Sequence, residues 1–148
     1  MEQKHLFKLA DNQKFVSISA PIKKNKAILR IGEFDCLVPL SGGKDGSYVA
    51  YNLKHKYGMN PLCVTITPAL PLPLGERNLR AFVESGYNHI SVNPDSEAMR
   101  KLNKIGFIEM GFPYYGWLTA ITTTPIRIAM AHEIELIFYG EDGEVEYG

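Results

Sequence analysis

The sequence has few of the features that mark secreted, membrane-bound or zinc-binding proteins. Its two cysteines, Cys36 and Cys63, are too far apart for a paired-cysteine motif and lie in apolar runs, so we expect neither a zinc site nor a structural disulfide. No segment approaches the roughly 20 apolar residues of a spanning helix, and residues 1–14 lack the apolar core of a signal peptide. These absences predict a cytoplasmic protein with no membrane partner.

The sequence also lacks an excess of either charge. Sixteen basic residues balance sixteen acidic ones, which gives a formal net charge of zero. A neutral molecule has no general attraction for nucleic acid or for an anionic surface. We therefore expect no nucleic-acid partner, and any site for a polyanion must be local.

The length and composition suit one compact domain. With 148 residues, 45% of them hydrophobic, the chain can bury one sizeable core and little more. We predict that residues 1–33 form an N-terminal cap of uncertain structure, with short strands at 14–19 and 27–31. Residues 34–148 are then expected to form a nucleotide-binding domain.

From residue 34 onward, apolar runs alternate with helical patterns. The runs predict buried strands at 34–40, 62–67, 88–92 and 136–139. The helical patterns cover 47–57, 76–85, a segment from a cap at Asn93 to about Gly106, and 117–132, where Pro125 predicts a kink or two shorter helices. The proline-rich stretch 68–75 is expected to be a loop. This alternation predicts an α/β fold with a Rossmann-like parallel sheet and helices on both faces.

The loop after the first of these strands has the composition of a phosphate site. It reads Ser41-Gly42-Gly43-Lys44-Asp45-Gly46-Ser47 and leads into a helix, whose first amide N–H groups and positive end attract an anion. The glycines let the backbone approach a phosphate, the serines add hydroxyl donors, and Lys44 neutralises charge. Asp45 either caps the helix or holds a phosphate-bound Mg²⁺. Thr65 and Gly140, on the following strands, complete the predicted nucleotide-binding set.

The same loop resembles the pyrophosphate-binding loop of the ATP pyrophosphatase superfamily, which includes asparagine synthetases, NAD synthetases and tRNA-modifying ligases. Its glycine spacing matches neither GxxxxGK[ST] nor GxGxxG. The resemblance implies an adenine nucleotide α-hydrolase-like fold that uses ATP and Mg²⁺. The superfamily usually has Ser where this chain has Gly46, although Ser47 follows immediately.

A closer resemblance extends over 34–148. It is carried by DCLVPL at 35–40, YVAYNLK at 48–54, GFPYYGW at 111–117 and YGEDGEVEYG at 139–148. These segments look like the N-acetyl sugar amidotransferases of lipopolysaccharide and surface-glycan biosynthesis. The resemblance implies that ATP adenylates the acetamido oxygen of an N-acetyl sugar, which is expected to be nucleotide-linked. Ammonia from a partner glutaminase then displaces AMP to leave an acetamidino group.

Four residues are predicted to be catalytic: Lys44, Asp45, Glu141 and Asp142. For the last two the alternative is a solvated acidic tail. Substrate binding is predicted for Tyr114, Tyr115 and Trp117, whose rings suit a sugar face or adenine but are equally suited to a core.

The chain departs from the amidotransferase family in length. Family members usually carry a cysteine-bearing N-terminal segment and continue beyond the position of Gly148, so we expect a fragment or a reduced relative. The other hypotheses are a tRNA-modifying ligase of the same superfamily and a non-catalytic nucleotide-binding module.

Overall fold

A computed structural model describes residues 33–140 and the backbone of two N-terminal strands, β1 (His5–Lys8) and β2 (Phe15–Ser17). Strand β2 lies within the strand predicted at 14–19. The strand predicted at 27–31 lies outside the described residues. Glu141 and Asp142 also lie outside them.

One six-stranded sheet organises the molecule, with the strand order β2-β1-β6-β3-β4-β5. The four strands from β6 to β5 are parallel, whereas β1 is antiparallel to both β6 and β2. The predicted α/β class and parallel sheet are therefore confirmed, and the antiparallel pair extends one edge. The remaining elements are β3 (Cys36–Pro39), α1 (Lys44–His55), β4 (Pro61–Ile66), α2 (Pro73–Glu84), β5 (Asn88–Val92), α3 (Ser96–Met110), α4 (Tyr115–Ala131) and β6 (Leu136–Ile137).

Helices cover both faces of the sheet. Successive residues of a strand point to opposite faces, so each strand contributes apolar side chains to both. Cys36 and Val38 of β3 pack with α1 on one face, and Phe82 of α2 lies against the same cluster. Leu37 between them packs with Ala129 of α4 on the other face. This alternation produces two apolar cores and explains why β3 and β4 are almost continuously hydrophobic.

Two helices begin three residues before their predicted starts. Helix α1 starts at Lys44 rather than Ser47, so four of the seven residues of the glycine-rich segment belong to the helix. Helix α2 starts at Pro73 rather than Glu76, which shortens the predicted proline-rich loop. Proline suits the first helical position because its fixed φ is already helical and the N–H that it lacks would have no partner in the helix.

The third helix differs from its prediction at both ends. Its cap is Asp95 rather than Asn93, because the Asp95 carboxylate accepts a 2.7 Å hydrogen bond from the Ala98 N–H. The helix ends at Met110, followed by the cap residue Gly111 with φ of +67°, and not near Gly106. Gly106 is instead a contact with α4, since a Cβ there would lie 2.3 Å from the Cβ of Tyr115.

Helix α4 runs as one element through Pro125. Of the two predicted alternatives, the division into two helices is therefore wrong, and the kink stays a prediction. It also begins at Tyr115, before the predicted start at 117. The Pro125 ring is fully buried, and this burial favours the helical position despite the lost backbone bond. Within the described part of the chain, no helix has the length and apolar content needed to cross a membrane.

Both cysteines are buried in the core beneath α1. Burial raises the pKa of the Cys63 thiol to about 12 and raises that of Cys36 as well. We therefore expect neither thiol to react with a disulfide reagent at pH 8 in the native protein, because the reactive thiolate is scarce and inaccessible. Both thiols should react on addition of denaturant. Rapid labelling of one thiol before unfolding would contradict this burial.

Candidate nucleotide-binding site

The segment 41–47 lies at the carboxyl end of β3, where ligands bind in open parallel sheets. Gly43 is the N-cap of α1, and no side chain caps the helix there. The cap residue therefore supplies no side-chain acceptor to the first N–H groups of α1, although many helices have one at this position. Together with the positive end of the helix, these groups can bind one phosphate-sized anion.

Gly42 fixes the curve of this loop. It is buried, and its φ of +83° lies in the left-handed region that favours glycine. A Cβ at this position would lie 2.6 Å from the Gly75 carbonyl oxygen and 3.2 Å from Leu79. The loop is thus packed directly against the first turns of α2, and a larger residue would displace one of them.

Gly46 and Gly140 form a second close contact beneath the loop. A Cβ on Gly46 would lie 2.7 Å from the Cβ of Leu40, and one on Gly140 would lie 2.6 Å from the Gly46 nitrogen. Gly46 therefore occupies the tight contact between α1 and the end of β3. Gly140 is therefore in direct contact with the backbone of the loop.

Lys44 and Asp45 form an ion pair at the start of α1. The Lys44 Nζ lies 2.8 Å from an Asp45 carboxylate oxygen, and the Lys44 side chain is 89% exposed. Such an exposed pair adds little stability, so a phosphate can compete for Lys44 at low cost. Because Gly43 is the N-cap, the predicted capping role of Asp45 is wrong. Its alternative role with Mg²⁺ stays a prediction.

The two loop serines are placed differently. Ser41 is exposed before the helix. Ser47 lies one turn inside α1, where its hydroxyl donates a 2.8 Å hydrogen bond to the Gly43 carbonyl. Its proton is therefore already engaged, and Ser41 is the better placed of the two to donate to a phosphate.

Thr65 lies beneath the loop. It is only 4% exposed, and its hydroxyl donates a 2.8 Å hydrogen bond to the Leu40 carbonyl. The Nε2 atom of His89 lies 2.9 Å from the same hydroxyl oxygen. His89 is not among the residues predicted for the site, because neither residue type nor spacing indicates a contact made between neighbouring strands. A direct contact of Thr65 with a nucleotide stays a prediction.

The three predicted aromatic residues lie at the start of α4. This helix packs on β3, β4 and β6 and leads into β6 through 132–135, so it runs antiparallel to the parallel strands. Its 17 residues span about 25 Å, which places its first turn at the same sheet edge as the loop. Tyr114 is 65% exposed, whereas Trp117 is partly buried against the core beneath α4. Of the two roles that the sequence allowed for Trp117, substrate binding or packing in the core, its position matches the core. No described contact joins Tyr114 or Tyr115 to the loop.

The architecture has a counterpart among solved structures. It is similar to a protein from Methanocaldococcus jannaschii described as a predicted subunit of tRNA methyltransferase, with a TM-score of 0.51 and 27% sequence identity. The likeness covers 74% of this chain and 53% of that chain, so this chain spans about half of the length of its counterpart. This chain has an adenine nucleotide α-hydrolase-like fold. No protein-family model matches the sequence, and no curated protein matches it.

Proposed function

We propose that residues 41–47 bind the pyrophosphate of ATP and that the chain belongs to an enzyme that adenylates an oxygen of its substrate. The observation that carries this proposal is the first turn of α1, which has no side-chain cap and follows the sharp bend at Gly42. The bend and the helix end together would offer a group of N–H donors to a phosphate at the carboxyl end of β3. The fold is one in which such a loop is expected to hold a nucleotide.

The proposed roles of the charged residues follow from their positions. Lys44 would neutralise the β- and γ-phosphates, whose charge increases as pyrophosphate leaves. Asp45 offers a half-exposed carboxylate, and Mg²⁺ typically uses one or two carboxylates together with phosphate oxygens. Asp45 therefore fits a magnesium ligand, and the ion would supply further neutralisation of phosphate charge. Both residues would act by charge stabilisation and positioning rather than by covalent chemistry.

The finer proposal is transfer of nitrogen to an N-acetyl sugar. The acetamido oxygen would attack the α-phosphorus of ATP, and the bond to pyrophosphate would break. Ammonia would then add to the activated carbon and AMP would leave, which gives an acetamidino group. Adenylation is needed because an amide oxygen is a poor leaving group. The support for this substrate is the sequence resemblance over 34–148, with a glutaminase as the proposed source of ammonia.

The other participants of this reaction are also proposals. Tyr114 and Tyr115, at the start of α4, are both exposed, as stacking on a sugar requires. Glu141 and Asp142 directly follow Gly140, which contacts the loop. We propose that one of these carboxylates accepts a proton from the incoming ammonia.

A tRNA-modifying ligase is the second candidate, and the description of the Methanocaldococcus jannaschii protein favours it. An ATP-dependent ligase of this kind would also adenylate an oxygen, in this case on a nucleobase. The balanced charge of the chain argues against it, because RNA-binding surfaces are usually basic.

Pyrophosphate release separates these candidates. The purified chain would be incubated with Mg-ATP, ammonium chloride and either nucleotide-linked N-acetyl sugars or bulk tRNA. We expect release that depends on an N-acetyl sugar and not on the matched sugar with a free amine, which lacks the acetamido oxygen. Release only with tRNA would establish the second candidate. Tight ATP binding with no release would instead favour a non-catalytic nucleotide-binding module.

A further inference from the structure

The residue immediately before the loop, Leu40, is held by one backbone and one side-chain hydrogen bond. Pairing of β3 with β4 ends at the register of Pro39 with Val64, so the chain leaves the ladder at Leu40. The Leu40 N–H still donates to the Val64 carbonyl at 2.9 Å. Its carbonyl, however, accepts from a side chain, the Thr65 hydroxyl, at 2.8 Å. Both polar groups of the last residue before the loop are therefore anchored to β4.

The Thr65 hydroxyl is in turn held by His89 of β5. A hydroxyl has a single proton, and here that proton is donated to Leu40, so the Thr65 oxygen must accept from the His89 Nε2–H at 2.9 Å. This arrangement selects the Nε2–H tautomer of His89. Burial lowers the pKa of His89, which favours the neutral ring. The Nε2–H donor is present in either charge state.

We propose that His89 and Thr65 are positioning residues of the phosphate loop. The two hydrogen bonds form a relay across three neighbouring strands, from His89 on β5 through Thr65 on β4 to the Leu40 carbonyl after β3. The relay fixes the direction in which the chain enters 41–43, so the curve at Gly42 is set before a ligand binds. This inference rests on the proposed binding of ATP at 41–47.

The relay is buried, so the loss of one of its hydrogen bonds is expected to be costly. Thr65 is 4% exposed, so water cannot easily replace a lost partner of the Leu40 carbonyl. A buried group left without its hydrogen bond is costly, whereas an exposed one is readily solvated. Loss of the relay should therefore allow Leu40 to move toward another partner and disturb the loop that follows it.

Four substitutions test the relay. Thr65→Val removes the hydroxyl at nearly constant shape, and Thr65→Ser retains it. His89→Leu removes the donor, and His89→Gln keeps an N–H near the Nε2 position. The matched control is Thr67→Val, which removes a hydroxyl from the residue directly after β4, where its partner is Ser91 rather than the loop. Affinity for Mg-ATP and for inorganic pyrophosphate would be measured by calorimetry.

We expect Thr65→Val and His89→Leu to weaken the binding of both ligands by roughly three- to tenfold. Thr65→Ser, His89→Gln and Thr67→Val should bind within about twofold of the wild type. Amide hydrogen exchange of a peptide spanning 40–47 in the unliganded protein should be faster in Thr65→Val and His89→Leu. A purely structural role would lower the melting temperature but leave the affinities and this local exchange unchanged, and that result would overturn the proposal.

The proposed binding of ATP and the proposed role of the relay can fail separately. If the wild type binds neither Mg-ATP nor pyrophosphate, the proposed function fails. The exchange rate at 40–47 then decides whether the relay holds the loop. If the wild type binds both ligands and Thr65→Val binds them equally well, the relay fails while the proposed function stands.

Discussion

Gly42→Ala is expected to have the largest effect of any single substitution in the loop. An L-residue at φ of +83° is strained by about 1–2 kcal/mol, and the added Cβ would lie 2.6 Å from the Gly75 carbonyl oxygen. That clash is with backbone, so it can be relieved only by moving the loop or the start of α2. We expect a lower melting temperature and a loss of ATP affinity of more than tenfold.

Gly58→Ala is the matched control for this substitution. Gly58 has φ of +65°, but a Cβ there would meet nothing within 4 Å. This variant should lose stability through backbone strain alone and keep its ATP affinity. Equal ATP affinities for Gly42→Ala, Gly58→Ala and the wild type would contradict a loop whose curve depends on Gly42.

The second large effect is expected for Lys44→Ala, which removes a charge without disturbing the fold. Hydrogen bonds to charged groups contribute about 1.5–3 kcal/mol, so ATP affinity should fall roughly ten- to a hundredfold. The melting temperature should hardly change, because the Lys44 side chain is almost fully exposed. Calorimetric titration and a thermal melt of the same sample measure both quantities.

Lys101→Ala is the corresponding control. Lys101 forms a 2.7 Å ion pair with Glu97 on α3, with both side chains more than half exposed. It should keep both wild-type stability and wild-type ATP affinity. A Lys44→Ala protein that binds ATP as tightly as Lys101→Ala would mean that Lys44 does not contact the phosphates.

The strands, and the strand-loop-helix order around 41–47, were predictable because their signals are local. A continuous apolar run marks a strand buried on both faces, and β5 has the predicted bounds of Asn88–Val92. Helix ends were less predictable because they depend on neighbours. Gly106 has the composition of a helix stop, yet it lies inside α3, where only glycine allows Tyr115 to approach. Pro125 is retained inside α4 because its ring is buried.

The parts of the site that sequence missed are contacts through space. Glycine content at 41–47 indicated a phosphate loop, but it did not show that Gly75 and Leu79 of α2 restrict Gly42. It also did not show that Gly46 packs on Leu40. His89 was missed because its partner is on another strand. A single sequence contains no signal for such contacts between residues that are distant along the chain.

Titration of the wild-type chain with Mg-ATP and with AMP tests the central claim most directly. The two nucleotides share adenine, ribose and the α-phosphate, so any difference in affinity reports on the pyrophosphate portion. Binding at the first turn of α1 predicts that Mg-ATP binds at least about tenfold more tightly than AMP, and that Lys44→Ala removes most of this difference. Equal affinity for the two nucleotides, or no binding of either, would contradict a pyrophosphate-binding loop at 41–47.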